Sequence, residues 1–110
     1  LLLASTEASD RQRLLASGGL RSGLDIAKTV AMGAAAAGFA LPFIRAVHAE
    51  GQEGVQKTIQ QVRTVFTACM ALTGSNSLEQ FRQNKVWYES VFQQDIKEFS
   101  RSIHGNPGTA

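Results

Sequence analysis

The chain has 110 residues, enough for one domain with one modest core and too few for two. Its 11 basic and 9 acidic residues leave a net charge of +2 with both signs spread along the chain, which excludes the basic stripe of a nucleic-acid surface. One cysteine, Cys69, excludes an intrachain disulfide, so stability must come from packing or from partners.

Hydrophobic periodicity predicts helix nearly everywhere and no strand. The expected fold is all-α: one long apolar helix rich in Ala and Gly, then an antiparallel helical hairpin. Residues 1–21 read as an N-terminal segment with a short helix from about Thr6 to Ser17, where Gly18 and Gly19 act as a C-terminal stop. The first 28 residues are rich in Leu, Ala, Ser and Arg, as organellar targeting regions are, although Glu7, Asp10 and Asp25 depart from that composition.

Residues 22–48 are predicted as the long helix. Ser22 caps it, and Asp25 sits three residues on, where a carboxylate reaches back to free N–H groups. Arg45 and His48 suit its far end, and Gly51 and Gly54 break it. Its centre, "TVAMGAAAAGFALPFIR" (29–45), carries no charge between Thr29 and Ile44. Lys28 to Arg45 spans about 25 Å as helix, against roughly 30 Å of hydrocarbon, so a single membrane span is marginal in length. Gly33 with Ala37, and Ala34 with Gly38, make two overlapping small-x-x-x-small pairs that let a second helix approach closely. Pro42 would kink the helix opposite Gly38. Gly33, Ala34, Ala37, Gly38 and Pro42 are therefore the expected helix-packing interface.

Residues 49–104 are predicted as the hairpin. Val55, Ile59, Val62, Phe66 and Cys69 lie at spacings of 4, 3, 4 and 3, a stripe that has to face another helix. "TGSN" (73–76) is the turn, and Ser77 with Gln80 is a capping box opening the last helix, whose apolar face carries Leu78, Phe81, Tyr88, Phe92, Phe99 and Ile103. Trp87 lies off that face. Trp87, Tyr88 and Phe92 are the candidate anchors for a partner or for the lipid head-group level. Residues 105–110 read as a flexible tail.

No catalytic, cofactor-binding or metal-ligating set emerges. "GQEGVQKT" (51–58) has glycines before Lys57 and Thr58, but Val55 and Gln56 intervene and no strand precedes it, so it reads as a helix linker rather than a phosphate loop. Cys69 lies on the apolar stripe, which makes it a small buried hydrophobe rather than a nucleophile for His48 or His104. His48, Glu50 and Glu53 lack the paired spacing of metal ligands.

The expected function is a non-catalytic structural or accessory subunit of a multi-subunit assembly, packed on other protein subunits and on membrane lipid. The mitochondrial inner membrane or a thylakoid is the expected location. A self-associating subunit of a secretion or pilus-type assembly is the alternative, and a soluble helical binding domain the second alternative.

Overall fold

A computed structural model describes residues 13–104. In chain order the elements are β1 (Leu15–Ala16), α1 (Gly23–Ala31), β2 (Ala36–Ala37), α2 (Leu41–Leu72), α3 (Leu78–Arg82) and α4 (Ser90–His104). The described residues are mostly helical, but two expectations need correction.

The first concerns the N-terminal segment. Residues 6–12 of its expected helix, like the whole of the predicted tail at 105–110, lie outside the described residues. The remainder is extended and includes β1, which pairs in parallel with β2 in the register Leu15 to Ala36 and Ala16 to Ala37. The Ala35 amide donates to the Leu14 carbonyl at 2.8 Å and the Gly38 amide to the Ala16 carbonyl at 2.9 Å, extending the ladder at both ends. A parallel pair requires a crossover, and α1 supplies it. The absence of strands expected from periodicity is thus overturned by a β–α–β unit.

The second concerns the helix expected over 22–48, which is not supported. It begins as expected: Ser22 Oγ accepts from the Asp25 amide while the Asp25 carboxylate accepts from the Ser22 amide, a complete capping box. It ends at Ala31. Gly33 takes φ +107°, its amide donates to the Val30 carbonyl, and the Ala34 amide donates to the Thr29 carbonyl at 3.0 Å. That hydrogen-bond pair closes a helix through a left-handed glycine. The alanines beyond it have high intrinsic helix propensity, yet the ladder to Leu14 and Ala16 holds them extended. Pro42 is the second residue of α2 rather than a kink within a longer helix, a place where its missing N–H costs nothing. No helix among the described residues is long and apolar enough to cross a membrane.

Inside α2, Gly51 adopts φ 59°, ψ −136°, so two helical pieces, 41–50 and 52–72, meet at a break. Gly54 permits the tight fold-back: a Cβ there would run into the Ala46 carbonyl. α1 packs along the second piece, with Gly23 close enough that a Cβ would meet the Val62 carbonyl oxygen at 2.7 Å and Val65 Cβ at 2.9 Å. The core between them is small. Ala27, Val30 and Phe81 are buried, with Ile26, Ala31, Phe66, Cys69 and Met70 packed around them. The Phe66 and Phe81 rings meet at 5.4 Å in a tilted pair.

α2 ends at Leu72 with Thr73 as its cap, and Gly74 follows at φ 66°. Ser77 caps α3 as expected, its hydroxyl accepting from the Gln80 amide, but the Gln80 side chain bonds the Asn76 amide rather than that of Ser77. The predicted final helix is interrupted: α3 is 5 residues long and α4 resumes only at Ser90.

Candidate functional site

At the C-terminal ends of β1 and β2 the chain forms a cleft of about 510 Å³. Ser17, Gly18, Gly19, Leu20 and Arg21 line it from the turn after β1, and Gly38, Phe39 and Ala40 from the turn after β2. The location follows from topology, since the loops that leave the carboxyl ends of adjacent parallel strands open on the same side.

Three properties suit the cleft to an anion. Gly18 and Gly19 take φ +90° and +77°, a conformation that side chains rarely adopt, and nothing lies within 4 Å of a Cβ built on either. The backbone is therefore bare towards the open space, and the amides of Gly18 and Gly19 have no acceptor among the described residues. The second property is the start of α2, next to the turn after β2. Ala40 occupies its N-cap without any side-chain hydrogen bond, so first-turn N–H groups and the positive end of the dipole are left for a ligand. The third is charge: Arg21 is the single ionisable residue among those lining the cleft.

Asp25 stands behind this turn. Its Oδ2 accepts from the Arg21 amide at 2.9 Å and from the Ser22 amide at 3.1 Å. The Arg21 bond holds the Asp25 carboxyl below the usual carboxylate range; desolvation opposes it, and the Ser22 hydroxyl and amide and nearby Lys28 add to the lowering. It is an ionised clamp whose Oδ2 accepts two backbone bonds from the turn.

The residues expected to form a helix interface are dispersed. Gly33 is in the turn ending α1, Ala34 is fully buried beside it, Ala37 is in β2, Gly38 is at the cleft, and Pro42 is in the first turn of α2. Of the five, only Gly38 lines the cleft. Trp87 is 78% exposed, with Lys85 Nζ 4.3 Å from its ring centroid, and Tyr88 packs on Phe92 at 5.8 Å. All three lie away from the cleft. His48 is exposed at the end of the first piece of α2, while Lys57 pairs with Glu50 across the Gly51 break and with Glu53 on its own side of it.

Sequence reasoning missed the residues that matter most here. Gly18 and Gly19 registered as a helix stop. The signal that distinguishes them is their setting: an apolar "LLA" run before, and a capped helix start, Ser22 with Asp25, after. Strand, glycine turn and helix N-terminus in that order are the arrangement of phosphate-binding turns.

Comparison with known proteins gives a consistent result. The family described as FMN-dependent dehydrogenase matches residues 1–88. Among curated proteins, the chain is 38% identical over 85 residues to an isopentenyl-diphosphate delta-isomerase of Bdellovibrio bacteriovorus, covering 77% of this chain and 24% of that protein. It is 43% identical over 74 residues to the protein of that name from Archaeoglobus fulgidus, covering 67% and 21%. The Borreliella afzelii protein of the same name is 34% identical over 99 residues, covering 90% and 28%. The chain thus spans about a quarter of the length of the curated relatives it matches.

These matches overturn the expected non-catalytic accessory subunit and both of its alternatives, because the relatives are enzymes. They also overturn the membrane expectation, mitochondrial or thylakoid. That reading depended on residues 24–47 forming one apolar span, and those residues fold as parts of two helices with β2 between them.

Proposed function

The chain belongs to the FMN-dependent dehydrogenase family, and from that premise we propose that its β–α–β unit holds the phosphate of FMN in a flavin enzyme that isomerises isopentenyl diphosphate. The observation that carries the proposal is the cleft at the ends of β1 and β2. It combines two left-handed glycines, an uncapped helix start and Arg21 around space sufficient for a phosphate monoester. The donor set fits the group. Peptide N–H groups and a guanidinium supply directional, charge-assisted hydrogen bonds to a dianion, and no lining carboxylate opposes it.

The same layout recurs in eight-stranded βα barrels, where the loops after the last two strands and the N-terminus of a short extra helix form a phosphate site. The piece of α2 at 41–50, set off by Gly51, takes the place of that extra helix. β1 and β2 would then be neighbouring barrel strands, and the remainder of the barrel would cover side chains that stand open here, such as Leu15 at 75% and Leu72 at 88% exposure.

Bound FMN would supply an isoalloxazine ring able to exchange protons and electrons with a substrate. This chain's own contribution is to bind. Arg21 and the glycine amides neutralise and orient the phosphate, which fixes one end of the cofactor so that its ring is presented in one pose.

The test is an FMN titration and an isomerase assay on the full-length protein. Micromolar or tighter FMN binding, with double-bond migration in isopentenyl diphosphate followed by NMR, is the expected result. Flavin bleaching by an oxidisable substrate without isomerisation would move the protein to the dehydrogenase chemistry in the family's description. Failure to bind FMN would sink the proposal.

A further inference from the structure

The Asp25 carboxylate does more than a helix cap requires. A capping box needs the third residue of the helix to accept from the cap residue's amide, and Asp25 does so through Ser22 at 3.1 Å. The shorter bond, at 2.9 Å, goes one residue further out, to the Arg21 amide. Arg21 belongs to the cleft rather than to the helix. Its side chain is fastened as well, Nη1 donating to the Leu20 carbonyl at 3.3 Å.

The turn that Asp25 grips is built on two glycines. Gly18 and Gly19 carry the largest backbone freedom of any residues, and an ordered glycine pair gives up more conformational entropy than any other pair. Neither touches a neighbour that a Cβ would meet within 4 Å. Packing therefore does not hold these glycines from outside. One end of the turn is set by the β1 ladder, where Ala16 accepts from Gly38, and the other by Asp25.

Resting on the phosphate-site reading above, we infer that Asp25 is a positioning residue for the anion cleft. It holds Arg21 and the Gly18–Leu20 turn in the conformation that receives a phosphate, and this role is separable from capping α1. The two roles use different bonds. Ser22 Oγ accepts from the Asp25 amide at 3.2 Å and so closes the helix cap, whereas the bond to the Arg21 amide reaches the cleft turn.

The experiment compares FMN with riboflavin, which lacks the phosphate, on the full-length protein and its Ser22→Ala, Asp25→Asn, Asp25→Glu and Arg21→Ala variants. Asp25→Asn replaces charge-assisted bonds by neutral ones and should weaken FMN about tenfold while leaving riboflavin unchanged. Asp25→Glu, which keeps the charge, should recover part of the loss. Ser22→Ala should lower the melting temperature without altering the ratio of FMN to riboflavin affinity. The Arg21→Ala, Asp25→Asn double variant should lose less than the two single losses combined, since one residue acts through the other.

Equal weakening of both flavins by Asp25→Asn, no weakening, or full additivity with Arg21→Ala would overturn the inference and reduce Asp25 to a cap. If Asp25→Asn prevents folding, Asp25→Glu carries the same ratio test. If Arg21→Ala itself leaves the preference for FMN intact, the phosphate-site reading fails first, and the role of Asp25 falls with it.

Discussion

Residues 17–21 (Ser-Gly-Gly-Leu-Arg) and residues 51–57 (Gly-Gln-Glu-Gly-Val-Gln-Lys) both set glycines beside a basic side chain. In the first, the glycines leave the end of a strand, border open space, and share a cleft with an arginine that has no carboxylate for company among the lining residues. In the second, Gly51 breaks a helix, Gly54 is buried against the Ala46 carbonyl, and Lys57 is engaged by Glu50 and by Glu53 at 3.4 Å. The glycines of one loop make room for a ligand and those of the other make room for the chain itself. Composition does not separate the two. What separates them is the element that precedes each loop and whether its cation is already neutralised.

The largest expected effects come from forcing side chains onto the left-handed glycines of each loop. Gly19→Val places a β-branched residue at φ +77° and a side chain into the cleft. Backbone strain of this kind costs roughly 1–3 kcal/mol, and FMN affinity should fall by more than about tenfold because approach to the backbone is blocked as well. Gly51→Val meets comparable strain at φ 59°. It should lower the melting temperature by a few degrees and leave flavin affinity nearly unchanged. Calorimetry with and without FMN on both variants checks this, and equal flavin losses would erase the distinction between the loops.

A smaller contrast lies in the cations. Arg21→Ala should cost about tenfold in FMN affinity or somewhat more, the range expected for a charge-assisted hydrogen bond, with little change in the affinity for riboflavin. Lys57→Ala removes two exposed ion pairs, to Glu50 and Glu53, of a kind that contributes little, and should be neutral towards both flavins. Titration of the two variants with each flavin decides it. A Lys57→Ala variant that lost FMN binding would give the "GQEGVQKT" segment the phosphate role that its spacing denies it.

How much of this was legible in the sequence follows from the range of the interactions concerned. The caps at Ser22 and Ser77 could be read directly, because their hydrogen bonds join residues three apart. The helix through Val55 to Cys69 was legible for the same reason, since helical periodicity is local, but of its expected stripe only Phe66 and Cys69 pack on the core and Ile59 is 45% exposed. β2 was not. Its partner is more than twenty residues away, its own residues are alanines that favour helix, and two-residue strands show no alternation to detect. Pro42 was ambiguous between a kink and a start until the fate of Ala36 and Ala37 was known. Gly18 and Gly19 showed that the chain breaks, but the cleft requires β1 and β2 side by side, and so the site was hidden with the strand pair.

The smallest expected effects concern pH, and their signs differ between the two loops. Asp25 is held below its ordinary value of 3.8, chiefly by the Arg21 amide. Its contribution is complete above that ordinary value and is lost as pH falls through the lowered one. Lys57 is raised above its ordinary 10.5, chiefly by its hydrogen bond to Glu50 and next by that to Glu53. Its contribution is complete below 10.5 and is lost as pH rises through the raised value. Urea midpoints for the wild type, Asp25→Asn and Lys57→Met should therefore differ by constant amounts between about pH 5 and 9, and converge at acid for the first variant and at alkali for the second. Salt should distinguish them further. The Lys57 pairs are exposed and Coulombic, so raising ionic strength to about 1 M, where the screening length is roughly 3 Å, should shrink their contribution. The Asp25 bonds are short, directional contacts to backbone amides and should persist. If both effects vanished together in salt, Asp25 would be acting as a surface charge rather than as the clamp of the turn.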